Sequence, residues 1–460
     1  MARLVIVSNR VTMPGEQAAK AGGLAVAVRE ALRKHGGIWF GWSGDIVEQP
    51  SDEPAAVSGG RFTVATLDLS REEHETYYAG FANSVLWPLF HYRLGLVDFK
   101  RESMAGYMAV NRRFAQAIAR MLRPDDTIWV HDYHFLPLGQ ALRELGVNNP
   151  IGFYLHIPFP GPDVLIALPF HEHLVAAMCA YNLLGFQTER DARCFKRFIT
   201  DEAGGRVEAD GTIHAYDRSS RVEVYPVGIE TERYAATAVD GADGPETERL
   251  RESLAGRGLI IGVDRLDYSK GLPLRFDAYA RLLAEHKEHR AKVVLMQIAP
   301  TSRGEVKQYR ALRRELEQMA GRINGKFAEF DWVPLRYLNR SHSRNVLASL
   351  YRYAKVGLVT PLRDGMNLVA KEYVAAQNAA DPGVLVLSRL AGAAQELRNG
   401  AKLVNPYDVD GVAEALNEAL LMPLDERQSR WKEMYETLRI NTLTRWHQRF
   451  LADLGQMRLN

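Results

Sequence analysis

The sequence predicts an α/β protein with two Rossmann-like domains, on three observations. The chain has 460 residues, while a single domain has about 150–200. Short apolar runs alternate with amphipathic segments, a pattern that is typical of parallel sheets built from βαβ units. Polar and charged side chains follow several of the apolar runs, at the edge of the sheet where open α/β folds bind ligands.

The composition favours a globular protein and limits its partners. Hydrophobic residues make up 47% and charged residues 25% of the chain, as in proteins with a large core. A net charge of +2 gives no general attraction to nucleic acid or to an anionic membrane. No apolar run reaches the roughly 20 residues of a membrane span, and the first run is too short for a signal peptide. Cys179 and Cys194 match no metal-ligand or disulfide spacing, which predicts reduced thiols in a cytoplasmic protein.

Nine short apolar runs predict buried strands, and two segments show clear helical periodicity. The predicted strands are Leu4–Ser8, Thr127–His131, Ile151–His156, Leu183–Gln187, Arg221–Pro226, Leu259–Val263, Lys292–Ile298, Lys355–Thr360 and Gly383–Leu387. The predicted helices are Leu274–His286 and Glu305–Met319.

Two polar segments predict a domain boundary, and the second of them also predicts a surface loop or linker. Asp201–Ser220 has no clear period, and Ala238–Thr247 is rich in glycine and aspartate. Between them a strand ends close to Val227, so we place the domains at residues 1–227 and 228–440, with a cleft between them. The tail Asn441–Leu459 predicts a terminal helix.

The segment Gly357–Tyr373 predicts a ligand site. An apolar strand ends at Pro361, a polar loop with Arg363 and Asp364 follows, and an apolar-periodic helix starts at Leu368. The free N–H groups and the positive dipole end of a helix start suit a phosphate.

Further cations and glycines follow other predicted strands. Arg265 and Lys270 follow the first strand of the second domain and suit a diphosphate, although Arg265 and Asp267 could instead form a local ion pair on a solvated loop. Gly22 and Gly23 precede a helix and would allow close approach of a phosphate, but a plain turn explains them equally well. Arg10 and Arg303 end strands of different domains and could share one phosphate, or each could be a surface arginine.

Imidazole and carboxylate groups end two neighbouring strands. Asp132 lies between His131 and His134, and His156 follows the next predicted strand. Such groups can bind sugar hydroxyls or transfer protons, whereas a lone histidine there is more often structural. Trp87 could stack on a sugar face or belong to the core.

Several chemistries are disfavoured. The sequence lacks a P-loop motif, a Gly-x-Ser-x-Gly motif and a dinucleotide fingerprint. Asp408-Val409-Asp410 has the form of a metal motif, but an N-cap for the helix Gly411–Leu421 is the better interpretation. We therefore predict no metal site and no cofactor.

Together these motifs resemble the trehalose-6-phosphate synthases, retaining glycosyltransferases of the GT-B fold. The resemblance covers nearly the whole chain and is carried by Ser8–Arg10, Ala21–Leu24, Trp39–Gly44, Leu86–Pro88, Phe90–Arg93, His131–His134, His156–Pro160, Arg265–Gly271, Gln297–Arg303 and Gly357–Tyr373.

The resemblance implies transfer of glucose from a nucleotide-diphosphate glucose, usually UDP-glucose, to glucose 6-phosphate. It also implies that the helix at about 441–460 packs back on the first domain. The implied acceptor-binding residues are Arg10, Tyr78, Trp87, Asp132 and Arg303. The implied donor-binding residues are Gly22, Gly23, Arg265, Lys270, His342, Asp364, Leu368, Val369, Ala370, Lys371 and Glu372. The implied catalytic residues are Asp132, His156, Arg265, Lys270 and Asp364.

Some alternatives stay open. His342 stands where the resemblance has Phe beside the nucleotide base, so the base preference among UDP, GDP and ADP is undecided. A related transferase could make glucosylglycerol phosphate or a pseudo-disaccharide phosphate, and a non-catalytic sugar-phosphate sensor could share the fold. The oligomeric state, a homo-oligomer included, is not predicted.

Overall fold

The computed structural model describes residues 3–11, 23–301 and 307–457 and divides the chain into two compact units. The first unit runs to Val227 and takes in the chain from Leu443 onward, while the second is Gly228–Thr442. Each unit is built around one sheet that is mainly or wholly parallel.

The first unit has a ten-stranded sheet in the order β3-β4-β2-β1-β5-β6-β7-β10-β9-β8. The strands are β1 Leu4–Arg10, β2 Gly37–Val47, β3 Ala55–Ser58, β4 Phe62–Ser70, β5 Thr127–His131, β6 Ile151–Tyr154, β7 Leu183–Phe186, β8 Arg206–Val207, β9 Thr212–Ala215 and β10 Arg218–Val224. The strands from β4 to β10 in that order are parallel, and β3, β9 and β8 are antiparallel additions at the two edges.

Helices cover this sheet, and one of them is unusual. The α-helices are α1 Gly23–His35, α2 Arg71–Glu73, α3 Trp87–Phe90, α4 Arg101–Met121, α5 Leu138–Glu144, α6 Pro162–Leu165, α7 His171–Met178 and α8 Glu189–Asp201. Between α2 and α3 the chain forms a π-helix, His74–Leu86. Its 13 residues far exceed the single-turn bulges in which π-helices normally occur, often at functional sites.

The second unit has a six-stranded, wholly parallel sheet in the order β13-β12-β11-β14-β15-β16. The strands are β11 Gly258–Val263, β12 Val293–Ile298, β13 Leu335–Leu338, β14 Val356–Val359, β15 Val384–Ser388 and β16 Lys402–Val404. The α-helices are α9 Thr231–Asp240, α10 Pro245–Leu254, α11 Leu272–Glu285, α12 Lys307–Phe327, α13 Arg344–Tyr353, α14 Leu368–Ala376, α15 Ala394–Leu397, α16 Val409–Leu421 and α17 Leu424–Ile440.

The last helix, α18 (Leu443–Gln456), packs on the first sheet through Trp446 and Phe450. The Phe450 ring stacks on Trp129 at a centroid distance of 4.7 Å. Two strand glycines make room for it, since a Cβ on Gly152 or Gly185 would lie 2.7 or 2.8 Å from that ring. Substituting either glycine would therefore push this helix away from the sheet.

The predicted surface loop at Ala238–Thr247 is wrong, and the other polar segment of the boundary is also more regular than its lack of a period indicates. Asp201–Ser220 contains β8, β9 and the start of β10, whose short antiparallel pairs do not need an apolar period because they extend the sheet edge. Ala238–Thr247 contains the end of α9 and the start of α10, with only four residues between these helices. Among the described helices, none is both long enough and apolar enough to cross a membrane.

Candidate active site

In the first unit, Arg10 lies at the carboxyl end of β1 with an exposed side chain. Its guanidinium carbon is 5.9 Å from the centroid of the Trp42 ring, on β2. Gly44 has a φ of 99°, and a Cβ at this position would lie 2.6 Å from an Arg10 guanidinium nitrogen. Glycine at position 44 thus gives the cation room and allows the turn of the backbone.

Tyr78, on the π-helix, reaches the same tryptophan from another side. Its ring centroid is 5.4 Å from Trp42 and 6.0 Å from His134, to which it is nearly parallel. The preceding Tyr77 is buried and donates a hydrogen bond of 2.7 Å to the amide oxygen of Asn9. The structure thus brings two of the predicted acceptor residues together on Trp42, which the sequence analysis did not select.

Asp132 follows β5 in a strained conformation, with φ 77° and ψ 167°, a region that is essentially confined to glycine. Its backbone N–H donates to Tyr154 O at 2.8 Å, and its carboxylate accepts the backbone N–H of His156 at 3.2 Å. Strain of this kind persists only where surrounding structure enforces it, and it clusters at functional sites.

Of the two residues predicted to shape the sugar site, Trp87 is buried and His156 is half-buried. Trp87 is 5% exposed, and its ring centroid is 5.5 Å from that of Tyr133. His156 Nε2 lies 3.1 Å from His131 Nδ1. Burial lowers the pKa of His156 to about 3 and takes the pKa of His131 well below its usual value, so both imidazoles are neutral at physiological pH.

In the second unit, Lys270 and Asp364 form an ion pair of 2.5 Å between two strand-end loops. The lysine ends a short 3₁₀ turn after β11. The same carboxylate oxygen accepts a 3.1 Å hydrogen bond from the Asn367 amide. Asn367 also caps α14 by accepting the Ala370 N–H at 3.2 Å.

Beneath this pair, Arg275 joins three strand ends. It is 1% exposed and forms a buried ion pair of 2.5 Å with Asp264, after β11. It also donates to Gln297 on β12 at 2.8 Å and to the Thr360 hydroxyl after β14 at 2.9 Å. The sequence analysis missed Arg275 because it lies inside an amphipathic helix, where arginine is ordinarily a surface residue.

Two neighbouring charged residues of α14, Glu372 and Lys371, differ in exposure and in their ion-pair partners. Glu372 lies 3.6 Å from Arg344 and keeps 18% of its side chain exposed; burial raises its pKa to about 7, against the opposing effect of Arg344. Lys371 is wholly buried in an ion pair with Glu396. Its side chain is therefore a structural cation of the helix, which leaves only its backbone for the predicted donor contact.

Arg265 and His342 occupy the rim of this unit. Arg265 is exposed two residues beyond β11. His342 precedes α13 and helps to line a cavity of about 530 Å³ together with Met296, Leu338 and Arg340. Burial and the Arg340 cation lower the pKa of His342, so this ring is neutral at physiological pH.

Gly22 and Arg303 lie outside the described residues, and α1 begins at Gly23. The prediction that one aspartate of Asp408-Val409-Asp410 is an N-cap is confirmed, because the Asp408 carboxylate accepts the Gly411 N–H at 2.9 Å. Among the described residues, no three His, Cys, Asp or Glu side chains are grouped so as to hold a metal ion.

Comparison with known proteins gives matches that extend through both units. The profile of glycosyltransferase family 20 matches residues 3–456. The trehalose-6-phosphate synthase of Enterobacter sp. (strain 638) is 51% identical over 455 residues, which cover 99% of this chain and 95% of that protein.

Solved structures agree with the fold. The UDP-forming α,α-trehalose-phosphate synthase of Burkholderia xenovorans, in complex with glucose-6-phosphate, has a TM-score of 0.95 and 51% identity over 99% of this chain and 100% of that one. An E. coli structure bound with UDP-2-fluoro glucose has a TM-score of 0.93 and 48% identity, with 99% of both chains covered. The predicted GT-B class with two Rossmann-like units is thereby confirmed, and the chain belongs to glycosyltransferase family 20.

Proposed function

We propose that this enzyme transfers glucose from UDP-glucose to the anomeric hydroxyl of glucose 6-phosphate and so forms α,α-trehalose 6-phosphate. The observation that carries the proposal is the 51% identity, over 99% of the chain, to a UDP-forming synthase in complex with glucose-6-phosphate. The sites described above supply the cations and carboxylates that two anionic sugar substrates require.

The first unit suits the acceptor. Arg10 is an exposed cation at a strand end, as a sugar phosphate requires, and Tyr78, whose ring packs against the same Trp42, carries a hydroxyl. We assign the phosphate to Arg10 and Tyr78, and the sugar hydroxyls to Asp132. Trp87 and His156 would border the sugar ring.

The second unit suits the donor. With the Ala370 N–H held by the cap, the N–H groups of Leu368 and Val369 at the start of α14 become our candidates for binding the diphosphate. Glu372 would accept hydrogen bonds from the ribose, which favour the ionised carboxylate. The base would lie near His342, and Asp364 would contact the transferred glucose.

The proposed reaction is a displacement of the diphosphate at glucose C1. The bond from glucose C1 to the diphosphate oxygen breaks, the acceptor oxygen bonds to C1 on the same face, and the acceptor proton passes to the leaving phosphate. Lys270 is paired with Asp364, and we propose that it turns to the diphosphate when donor binds. Lys270 and Arg265 would then stabilise the negative charge that grows on the leaving group.

The location we propose for this reaction is the cytoplasm. The described residues contain no disulfide, and Cys179 is a buried thiol. Burial raises the pKa of Cys179 to about 12, so it stays an inert thiol, as suits a reducing compartment.

The activity is tested by UDP release from UDP-glucose with a panel of acceptors. Glucose 6-phosphate should support turnover far better than glycerol 3-phosphate, glucose or water. Faster release with glycerol 3-phosphate would favour the related transferase, and no release with any acceptor would favour the sensor.

The assignment of Arg265 is tested by Arg265→Ala. Loss of a cation that stabilises the leaving group should cost about 2–4 kcal/mol of transition-state stabilisation, seen as a fall in kcat/KM for UDP-glucose. The matched control is Arg257→Ala. Arg257 is another arginine of the second unit, and it forms an ion pair with Asp331. Near-normal turnover in Arg265→Ala would remove this residue from the mechanism.

A further inference from the structure

The mechanism above gives no role to His131, although it lies directly behind His156. His131 ends β5 and has no exposed surface. Its Nδ1 is 3.1 Å from His156 Nε2, and its ring centroid is 4.4 Å from that of Trp129. The two imidazoles therefore form one hydrogen-bonded pair, with its inner member in an aromatic environment.

Proton counting assigns a direction to this hydrogen bond. Each neutral imidazole carries one N–H, and burial keeps both rings neutral. In the described part of the chain, His131 Nε2 is buried without a hydrogen-bond partner. Buried N–H groups without an acceptor are rarer than buried acceptors without a donor, so the proton of His131 belongs on Nδ1. His156 Nε2 then accepts, and His156 carries its own proton on Nδ1.

The position of the His156 ring is fixed by its neighbours as well. The Tyr154 ring lies at a centroid distance of 4.7 Å from it, and Trp446 on α18 at 6.2 Å. The backbone N–H of His156 is held by the Asp132 carboxylate. Ring and backbone are thus both restrained, and part of the side chain remains accessible.

We propose that His131 is a positioning residue that fixes the tautomer and the orientation of His156, so that His156 offers its Nδ1–H as a donor to an oxygen of the bound sugar. This inference rests on the proposed function, in which His156 borders the sugar. A hydrogen-bonding partner of this kind holds the His156 ring in the orientation and tautomer that the sugar needs, so that neither has to change on binding.

The test compares His131→Asn with His131→Leu. The asparagine amide can take the place of Nδ1 and donate to His156, whereas leucine fills similar space without a donor. His131→Leu should lower kcat by about 10–100-fold, the range for loss of such a supporting partner, with little change in the KM for glucose 6-phosphate. His131→Asn should regain most of the lost kcat.

The tautomer is read directly by ¹⁵N NMR of the imidazoles in the full chain, with the His156 signals assigned from their loss in His156→Gln. The proposal expects a protonated Nδ1 and an unprotonated Nε2 for His156 in wild type, and a mixture of tautomers in His131→Leu. A protonated Nε2 in wild type would overturn it, and so would equal kcat values for the two His131 variants. An inactive wild type would instead refute the proposed function, and the NMR result would still decide the tautomer. If His131→Leu does not fold, the wild-type spectrum and the kcat of His131→Asn decide.

Discussion

Asp132 is held in a backbone conformation that only glycine adopts without strain. Its φ of 77° and ψ of 167° carry a cost of about 1–3 kcal/mol for a residue with a Cβ. The chain nevertheless keeps a carboxylate there, in hydrogen-bond contact with the backbone of His156. Strain at this residue agrees with a role in binding substrate, at the expense of stability.

A pair of substitutions separates the strain from the carboxylate. Asp132→Ala and Asp132→Gly lose the same carboxylate, but only glycine relieves the backbone. Asp132→Gly should therefore be more stable than Asp132→Ala by about 1–2 kcal/mol, after the larger entropy loss of glycine is subtracted, while both variants lose activity. Urea unfolding of the two proteins measures the difference, and a less stable glycine variant would contradict the strain.

Glu372 predicts a pH dependence of stability. Its folded pKa of about 7 lies above the value of roughly 4.3 in an unfolded chain. The folded state therefore holds this proton more tightly, so its contribution to stability falls as pH rises from about 4 to about 7. Glu372→Gln should reduce this loss. Unfolding free energies of wild type and Glu372→Gln at pH 5 and pH 7.5 measure this difference. An equal change in unfolding free energy with pH for the two proteins would refute the raised pKa of Glu372.

At the residue scale, the sequence located charges but not conformations. Arg10, Asp132 and Lys270 stand out because they follow apolar strands. The strain at Asp132 and the contact of Arg10 with Trp42 arise from chain segments far apart in sequence, so no local pattern reports them. The N-cap role of Asn367 could have been found, because asparagine precedes the predicted helix.

At the scale of elements, Arg275 on α11 connects the ends of β11, β12 and the segment after β14. Removing one member of a buried ion pair leaves the other charge without compensation, which typically costs about 3–5 kcal/mol. We expect Arg275→Met to lose stability by this amount, and Arg275→Met/Asp264→Leu to recover much of it.

Thermal and urea unfolding of the single and double variants test this prediction. Arg290→Met is the matched control. Arg290 follows α11, and in the hydrogen bonds described its guanidinium donates only to carbonyl groups at the end of that helix. A double variant that is no more stable than Arg275→Met would show that the ion pair is not the cause.

Strongly periodic elements were predicted best. The β5 prediction, Thr127–His131, has the observed bounds, and Leu274–His286 differs from α11 by only a few residues. The strands β3, β8, β9, β13 and β16 were missed because two to four residues at a sheet edge carry too little pattern. The longer strands β2 and β4 were missed as well. The π-helix could not be predicted either, because its hydrogen-bond register depends on the packing around it.

At the scale of the whole molecule, the proposed mechanism takes the charges needed for a diphosphate leaving group from side chains. If Lys270 and Arg265 supply them, a chelator should leave turnover largely intact. Assays with and without EDTA test this expectation, with added Mg²⁺ as the control. Full loss of activity that Mg²⁺ restores would show that a metal ion takes part.

The central claim is a transfer that joins glucose to glucose 6-phosphate with retained configuration. It is tested most directly by ¹H NMR of the product formed from UDP-[1-¹³C]glucose and glucose 6-phosphate. We predict one disaccharide phosphate in which both anomeric protons show the small coupling of an α linkage, formed in equal amount with UDP. A β-linked product, or UDP release without any disaccharide, would contradict this claim.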